Sequence, residues 1–369
     1  MLKYNQLVQA LKEELEQAPA GAKLATRLEL RQKYGCTRTT VDRAIAELTR
    51  EGYVYSLRGS GTYAADRETV LEGAGVSWAL ITPDVMNSIY TAILRGMCDI
   101  ARQHNISVQI FNTDHDVRRQ YDIIRSLAAA RIGGVVLVPA IDKEGQEAAC
   151  RLLVDNQVPF VFCNRKVEGV HDVPLVCSNG YYGGYLATKH LLEQGYVRPA
   201  FLGMKAYSVS LERYYGYAAA IMEAGMDLDR RCVALETDFQ AEWPGYSETT
   251  VFLRLDNPPD SIFCAGESFK KPLLNGVYKA IEHMGLNIPG DIGVISHDNS
   301  VVCLQQSPNT TAVSYPAYAS GLKAAEILCS LMNKVQLPAG GLYIQHPELV
   351  KRESCLGPAA QRGTEGQER

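Results

Sequence analysis

The sequence predicts an α/β protein in which a small N-terminal winged helix-turn-helix domain precedes a larger α/β body. Within residues 24–63, the pattern predicts two short helices separated by a glycine turn and followed by a hairpin. From Val76 onwards, apolar runs alternate with helical patterns, which is typical of parallel sheets with right-handed crossovers. The predicted boundaries are 1–65 for the head, 66–75 for a linker, 76–356 for the body and 357–369 for a disordered tail.

The first two helices of the head follow from apolar spacing and capping residues. Residues 4–17 carry leucines on one side, so this helix is expected to pack behind the others. Thr26 is expected to N-cap a second helix that runs to Tyr34. Gly35 then ends that helix, because glycine adopts the required positive φ without steric cost.

A third helix and a hairpin complete the predicted head. Thr37 caps this helix, and apolar residues from Val41 to Leu48 recur at i, i+3, i+4 and i+7 as its buried stripe. The residues left facing outward near its start are Arg38, Thr39, Asp42 and Arg43. Residues 53–56 and 62–64 are predicted to be two strands joined by a glycine-containing tip.

In a helix-turn-helix, the helix after the turn carries exposed residues such as Arg and Thr at its start and enters the DNA major groove. The third helix of the head is therefore the expected recognition helix, and the hairpin would be a wing. The net charge is -4, yet residues 23–43 hold six basic residues against two acidic ones, which favours a local nucleic-acid-binding face. The residues expected to contact DNA are Arg27, Thr37, Arg38, Thr39, Thr40, Arg43, Arg58, Gly59 and Ser60.

Residues 4–65 resemble the GntR family of bacterial winged-helix repressors. The matching features are the helix caps, the turn glycine, T-R-T-T-V at 37–41, E-G at 51–52 and G-S-G-T at 59–62. Two positions depart from the family pattern. A family arginine falls at Leu28, and another falls at Asp42, whose carboxylate is expected to repel DNA phosphates.

The composition excludes several classes of protein. A chain of 369 residues with 46% hydrophobic and 21% charged residues is typical of a folded protein with more than one domain. No apolar run approaches the roughly 18 residues that span a bilayer, and the first residues lack the apolar core of a signal peptide. The ten cysteines are scattered singly, which indicates buried thiols rather than disulfides. We therefore expect a cytoplasmic protein.

The body is predicted to contain eight buried strands with helices between them. The strands are expected at 77–82, 107–111, 134–139, 160–163, 175–177, 200–203, 261–265 and 293–296. The helices are expected at 89–104, 121–130, 143–156, 184–194, 211–223, 247–255 and 273–284. Eight such strands are compatible with one barrel or with two open sheets.

Polar residues follow most of the predicted strands. In open parallel sheets, ligands bind beyond the carboxyl ends of the strands, so these residues are candidates for a polyhydroxylated ligand. They are Thr82, Asp84, Asn112, Asp114, Asn164, Arg165, Ser178, Asn179, Glu267, Ser268, His297 and Asp298.

The body resembles the effector domain of the LacI/GalR repressors, which is similar to periplasmic sugar-binding proteins. The segments that carry this resemblance lie at 87–97, 163–165, 178–184, 212–217, 288–299 and 307–313. The resemblance implies a two-lobed periplasmic-binding-protein-like α/β effector domain with a ligand between its lobes. A GntR-type head on such a body is the domain order of the arabinose repressors of Gram-positive bacteria.

Three positions of the body depart from the family pattern. Ser178 replaces the usual Asp before Asn, Gly266 and Glu267 replace the usual Asn-Asp, and His297 replaces the usual aromatic residue before Asp298. The identity of the ligand is therefore not transferred from the family.

Individual residues are nevertheless expected to hold the effector. The resemblance implies bidentate bonds from Arg213 to vicinal hydroxyls or a carboxylate, and Asp298 is placed at a strand end to accept hydroxyl hydrogens. Aromatic residues are expected to stack on a ring, and polar strand-end residues complete the set. The expected effector-binding residues are Tyr90, Asn164, Ser208, Ser210, Arg213, Phe239, Trp243, Glu267 and Asp298.

The sequence thus predicts a homodimeric repressor that binds an inverted-repeat operator and responds to a small molecule, most simply a sugar. Ile93, Met97 and Ile100 are expected to offer an apolar face to the second copy. A purine or another non-sugar metabolite is the alternative effector, and a GntR-headed enzyme is the alternative class. No catalytic, metal-binding or cofactor-binding motif is present, so no metal or cofactor is expected.

Overall fold

The computed structural model describes residues 4–19, 21–50, 53–57, 60–65, 76–130, 132–141, 144–205, 207–238, 241–266 and 271–357. The predicted linker at 66–75 and the tail after Gly357 lie outside these residues, so both stay predictions. The chain divides into two compact units. Unit 1 comprises Met1–Pro83, Ile93–Val176 and Ser320–Tyr343, and unit 2 comprises Asp84–Ala92, Cys177–Ala319 and Ile344–Arg369.

The head has the predicted elements in the predicted order. They are α1 (Tyr4–Gln17), α2 (Arg27–Tyr34), α3 (Arg38–Arg50), β1 (Val54–Leu57) and β2 (Gly61–Ala64). Thr26 and Glu29 form a reciprocal capping box at the start of α2, and Gly35 ends that helix at φ 60°. β1 and β2 pair antiparallel as the wing.

One hydrophobic core joins the three helices and the wing. Leu7 and Leu11 of α1, Leu30 of α2, and Val41 and Leu48 of α3 are almost fully buried. These residues belong to a single cluster that also includes Val54 and Ala64 of the wing. Burial of this one cluster stabilises the head, because its short helices would be marginal alone.

The body contains the predicted alternation of strands and helices. In chain order its elements are β3 (Ser77–Thr82), α4 (Ser88–Gln103), β4 (Ser107–Asn112), α5 (Val117–Ala129), β5 (Gly134–Leu137), α6 (Gln146–Asp155), β6 (Phe160–Cys163), β7 (Leu175–Ser178), α7 (Gly180–Glu193), β8 (Pro199–Leu202), α8 (Ser208–Glu223), β9 (Val233–Ala234), α9 (Tyr246–Leu253), β10 (Ser261–Cys264), α10 (Leu273–His283), β11 (Gly293–Asp298), α11 (Val302–Gln305), β12 (Thr311–Ser314), α12 (Ala317–Met332), β13 (Leu342–Gln345) and β14 (Glu348–Val350). The eight predicted strands are confirmed, whereas β9, β12, β13, β14, α11 and α12 were not predicted.

The strands form two six-stranded sheets, so the barrel alternative is wrong. The sheet that belongs mainly to unit 1 has the order β13-β7-β6-β5-β3-β4, and the sheet of unit 2 has the order β14-β12-β11-β10-β8-β9. In unit 2, the pairs from β9 to β12 are parallel and β14 is antiparallel to β12. Alternate residues of its central strands enter two different hydrophobic clusters, so both faces of this sheet are buried.

The apolar face of α4 packs inside unit 1 and is not a free surface. Ile93 and Met97 are fully buried, and Ile100 is half-buried. A Cβ atom at Gly321 of α12 would lie 2.1 Å from the carbonyl oxygen of Ile93, so the two helices pack in close contact. The prediction that Ile93 and Met97 are offered to a second copy is therefore wrong, because both are buried within unit 1, where α12, which was not predicted, packs against α4.

The wing also contacts the body within unit 1. Because successive residues of a strand point to opposite faces, Tyr55 projects away from the side on which Val54 enters the core of the head. Tyr55 is 2% exposed and stacks on Tyr63 with ring centroids 5.6 Å apart. A cavity of about 570 Å³ beside it is also lined by Ile100 of α4 and Cys329 of α12. The wing and two body helices therefore line the same cavity within unit 1.

Within the part of the chain that the structure describes, no helix combines the length and the apolar character needed to cross a lipid bilayer.

Candidate functional sites

A buried ion pair lies at the carboxyl end of the central strands of unit 2. Nη2 of Arg213, on α8, donates to Oδ1 of Asp298 at 2.8 Å, and Nη1 donates to the carbonyl oxygen of Ala265 at 2.7 Å. The side chains of Arg213 and Asp298 are 1% and 2% exposed. Since Ala265 directly follows β10 and Asp298 ends β11, the guanidinium bridges two neighbouring parallel strands where they end.

Close packing of two helices fixes the backbone of Arg213. A Cβ atom at Gly184 of α7 would lie 2.0 Å from the carbonyl oxygen of Arg213, and one at Gly216 of α8 would lie 1.9 Å from that of Tyr181. Only glycine fits both positions without moving a backbone. Helix α7 begins at Gly180 rather than at the predicted residue 184.

The cluster around Arg213 contains polar atoms without hydrogen-bond partners in the described part of the chain. They are Nε of Arg213 and Nε2 of His297, both of which are shielded from solvent. Leaving the buried N–H of the Arg213 guanidinium without a partner costs on the order of 1–3 kcal/mol, so this donor marks a place where a ligand or water could bind. His297 was predicted as one of the polar strand-end candidates, but it was not among the expected effector-binding residues.

The backbone is strained at two strand ends that carry predicted site residues. Asp298, the last residue of β11, has φ 87°, and Asn164, directly after β6, has φ 70°. Residues other than glycine rarely adopt such φ values, because the surrounding fold must stabilise them. Positive φ values of this kind are concentrated at binding and catalytic sites.

In unit 1, Asn164 and Arg165 are 7% and 6% exposed. The backbone N–H of Asn164 donates to the carbonyl oxygen of Val176 at 2.8 Å, and the guanidinium of Arg165 donates to the carbonyl oxygen of Pro139. Both residues therefore lie directly after β6, as predicted, and bond to backbone groups in β7 and after β5.

Two predicted site serines lie in the first turns of α8 rather than in a loop before it. Ser208 is exposed, whereas Ser210 is 2% exposed and its Oγ accepts the backbone N–H of Met204 at 3.1 Å. The hydroxyl of Ser210 therefore stabilises the turn between β8 and α8. The helix predicted at 211–223 therefore begins earlier, at Ser208.

Of the predicted ring-stacking residues, one is buried and another is partly exposed. Tyr90 is 1% exposed and belongs to unit 2, the unit that contains Arg213. Trp243 is 39% exposed, and the ammonium of Lys279 on α10 lies 3.6 Å from the centre of its ring. Trp243 therefore packs with the α9–α10 pair. Phe239 and Glu267 lie outside the described residues.

The predicted DNA-binding residues surround the start of α3. Arg38, Thr39 and Arg43 are exposed, as the helical spacing predicted. The hydroxyl of Thr37 accepts the N–H of Thr40 at 3.2 Å and shares a 2.8 Å hydrogen bond with the Thr40 hydroxyl, so both threonines cap the helix in the free protein.

On the wing, Ser60 is exposed and its hydroxyl shares a 2.6 Å hydrogen bond with the phenol of Tyr63. This bond fixes Ser60 at the tip of the hairpin. Arg58 and Gly59 lie outside the described residues.

The family departure at Asp42 has a partner on α2. Nε of Arg27 donates to Oδ1 of Asp42 at 2.6 Å, and Nε of Arg38 lies 3.7 Å from Oδ2. Because these side chains are 43–77% exposed, the ion pairs contribute little to stability. They do lower the positive charge that the face of α3 presents to a phosphate backbone.

Comparison with known proteins supports both halves of this description. Residues 3–64 match the family described as bacterial regulatory proteins, gntR family, and residues 188–355 match the periplasmic binding protein-like domain. The predicted combination of a GntR-type winged-helix head with a periplasmic-binding-protein-like α/β body is confirmed.

Three relatives illustrate the similarity. An arabinose metabolism transcriptional repressor of Halalkalibacterium halodurans is 26% identical and covers 98% of this chain and 98% of its own length. The transcriptional repressor PurR of Vibrio cholerae is 26% identical over 90% of this chain and 98% of its own length. The structure of the transcriptional regulator CelR with cellobiose is 21% identical, covers 96% of this chain and 100% of that chain, and has a TM-score of 0.66. The relatives are transcriptional regulators, and the last of them shares the fold.

Proposed function

We propose that this chain, which joins a GntR-type head to a periplasmic binding protein-like body, is a DNA-binding transcriptional repressor of carbohydrate uptake or catabolism genes, controlled by a sugar. The observation that carries the proposal is the buried pair of Arg213 and Asp298 at the strand ends of unit 2. A structural ion pair in an interior is costly to desolvate, so a binding role explains this pair better than stability does.

The chemistry of the pair suits a sugar. A guanidinium donates in a planar fork to neighbouring oxygens, and a carboxylate accepts hydroxyl hydrogens, so together they complement vicinal hydroxyl groups. Since the charge of Arg213 is balanced by Asp298 at 2.8 Å, the pair has no net charge. An anionic ligand would approach the carboxylate at an electrostatic cost, which favours an uncharged sugar over a sugar phosphate or a sugar acid.

The relatives support a sugar and also provide the second candidate. The repressor of Halalkalibacterium halodurans is named for arabinose metabolism, and the CelR structure is of a complex with cellobiose. PurR of Vibrio cholerae is also 26% identical to this chain, so a purine is kept as the alternative effector.

We further infer that the protein acts in the cytoplasm as a homodimer on an inverted-repeat operator. A single head offers one recognition helix, which contacts few base pairs, so two heads are needed for operator affinity. Sedimentation velocity at micromolar concentration should give a dimer, and footprinting should protect two half-sites related by a two-fold axis. A monomer that protects one half-site would contradict this inference.

The proposal is tested by isothermal titration of the full chain with L-arabinose, D-ribose, D-xylose, cellobiose, arabinose 5-phosphate and hypoxanthine. Binding of an uncharged sugar, without binding of the phosphate or of hypoxanthine, is the expected result. Binding of hypoxanthine alone would favour the purine alternative, and binding of the sugar phosphate alone would contradict the charge argument. Failure of all six ligands to bind would contradict the proposed sugar effector.

A further inference from the structure

His297 contacts Asp298 in a way that a regular strand does not allow. Neighbouring residues of a strand point to opposite faces, yet Nδ1 of His297 lies 2.7 Å from Oδ1 of Asp298. The positive φ of Asp298, 87°, turns the chain at the end of β11 and brings its carboxylate back towards the imidazole. The contact therefore depends on the same strained residue that pairs with Arg213.

The hydrogen-bonding chemistry fixes the tautomer of His297. The carboxylate of Asp298 only accepts hydrogen bonds, so Nδ1 of His297 carries the hydrogen. Burial, and then the nearby charge of Arg213, lower the pKa of His297 to about 4, so the ring is neutral near pH 7. Its Nε2 is then an unprotonated nitrogen, which tolerates a site without a hydrogen-bond partner better than an N–H group does.

Helix α7 leaves space for this ring. A Cβ atom at Gly183 would lie 2.5 Å from Nε2 of His297, and the His297 side chain is 0% exposed. The imidazole is therefore held on one side by α7 and on the other by Asp298. A ring in such a confined position keeps one orientation.

We propose that His297 is a positioning residue that fixes the carboxylate of Asp298 for effector binding, a role that rests on the proposed function. Two donors on different elements, Nη2 of Arg213 on α8 and Nδ1 of His297 on β11, bond to the same oxygen, Oδ1. Two donors on one oxygen restrict rotation of the carboxylate, and this determines the direction in which Oδ2 points. The aromatic residue that the LacI/GalR pattern has here carries no donor at the position of Nδ1.

A fixed Asp298 carboxylate should affect the discrimination between sugars as well as the affinity for one of them. A carboxylate with a fixed direction accepts a hydroxyl hydrogen from one stereochemical position, whereas a carboxylate that rotates accommodates several. Loss of the His297 donor should therefore weaken binding of the preferred sugar more than binding of its epimers. A residue that only filled space would not change that ratio.

The test compares His297→Phe, which keeps a ring of similar size and removes the donor, with His297→Asn, whose amide nitrogen restores a donor close to the position of Nδ1. Isothermal titration of the full chain uses the sugar of the panel that binds wild type most tightly, together with the weaker-binding sugars of that panel. His297→Phe should weaken the preferred sugar about tenfold or more and reduce its preference over the others, since a hydrogen bond to a charged group contributes this much. His297→Asn should recover most of both. Wild-type affinity in His297→Phe, or equal loss in both variants, would overturn the proposal.

A measurement without any ligand separates this proposal from the proposed function. Nitrogen-15 NMR of the wild-type imidazole should show the hydrogen on Nδ1, and the shift in unfolding midpoint that His297→Phe causes should shrink in an Asp298→Asn background. A hydrogen on Nε2, or midpoint shifts that simply add, would overturn the positioning role whether or not a sugar binds. If no sugar of the panel binds wild type while the ligand-free results are as expected, the proposed effector fails and the His297–Asp298 hydrogen bond stands.

Discussion

Asp42 of the recognition helix α3 accepts a hydrogen bond from Nε of Arg27 of α2 at 2.6 Å. The sequence predicted that this carboxylate would repel DNA phosphates. The structure adds that this carboxylate also pairs with Arg27, one of the residues expected to contact DNA. Asp42→Asn should therefore tighten operator binding a few-fold and steepen the dependence of log K on log salt by about one, because one more phosphate is neutralised.

The control for Asp42→Asn is Glu13→Gln on α1, which removes one negative charge from an exposed position of the head but not from the recognition helix. Filter binding across a salt series should give an unchanged slope for this control. An identical slope and affinity in Asp42→Asn and wild type would mean that Asp42 does not face the phosphates.

Arg38 is the side chain expected to reach a guanine edge in the major groove. Its side chain is 77% exposed and its contact with Asp42 is 3.7 Å, so little in the free protein restrains it. Arg38→Ala should cost about 1–3 kcal/mol of operator binding and relax the sequence preference at one base pair. Arg102→Ala on α4 is a matched control, because that side chain is 79% exposed and also pairs with an aspartate on its own helix. Binding to a library of operator variants decides the matter, and an unaltered preference in Arg38→Ala would refute the groove assignment.

The head could be predicted closely because its signals are local. The caps at Thr26 and Thr37 and the turn at Gly35 act within four residues of the positions that they determine. Several body strands that were not predicted have weaker sequence patterns. β9 has two residues and β14 has three, which is too short to show a period, and β13 alternates between half-buried and exposed residues as an edge strand does.

The glycines at which helices α7 and α8 contact each other give a prediction about the site. Gly184→Ala would place a Cβ atom 2.0 Å from the carbonyl oxygen of Arg213, a backbone atom that moves only with the whole helix. We expect the free energy of unfolding to fall by about 1–3 kcal/mol despite the better helix propensity of alanine, together with a weaker response to the effector. Gly290→Ala is the control, because its nearest contact of 3.7 Å is ordinary packing. Equal urea midpoints for the two variants would contradict the close packing.

The pH dependence of stability follows from His297. Its pKa in the folded protein is about 4, below the ordinary value of 6.5, so the unfolded chain binds the proton at higher pH. The free energy of unfolding should therefore fall as the pH decreases from about 6.5 to about 4, by on the order of 3 kcal/mol from this group.

His297→Phe isolates this contribution, because the buried His190, whose pKa is also lowered by burial, is common to both proteins. Urea unfolding over this pH range should show a smaller loss of stability for His297→Phe than for wild type. Parallel pH profiles for the two proteins would show that His297 titrates normally.

The members of the candidate site could be predicted one at a time, but their arrangement could not. Arg213 and Asp298 were both expected to bind the effector, yet the hydrogen bond between them joins residues 85 apart in the chain. It depends on how closely α8 approaches α7 and β11, which is determined by Gly184 and Gly216 rather than by any local pattern. The role of His297 was missed because the turn that directs the carboxylate towards it is a backbone feature of Asp298.

The central claim, that the Arg213–Asp298 pair receives the effector, predicts a separation between DNA binding and its control. Removing the guanidinium should leave operator affinity near that of wild type, because the DNA-binding face lies in the head, while abolishing the effect of the sugar. Arg213→Ala leaves the buried carboxylate of Asp298 uncompensated, at a cost of about 3–5 kcal/mol, so Arg213→Lys, which keeps the charge, is measured beside it. Arg231→Ala is the control, because its side chain lies in the same unit, is 60% exposed and pairs with Asp229.

The most direct measurement is a gel-shift titration of the full chain on its operator with increasing concentrations of the sugar that binds wild type. Wild type and Arg231→Ala should change their operator affinity at the same sugar concentration. Arg213→Ala should show no change, and Arg213→Lys should need a much higher concentration, since the planar fork of the guanidinium is lost. A response of Arg213→Ala at the wild-type sugar concentration would contradict the account, because the effector would then bind elsewhere.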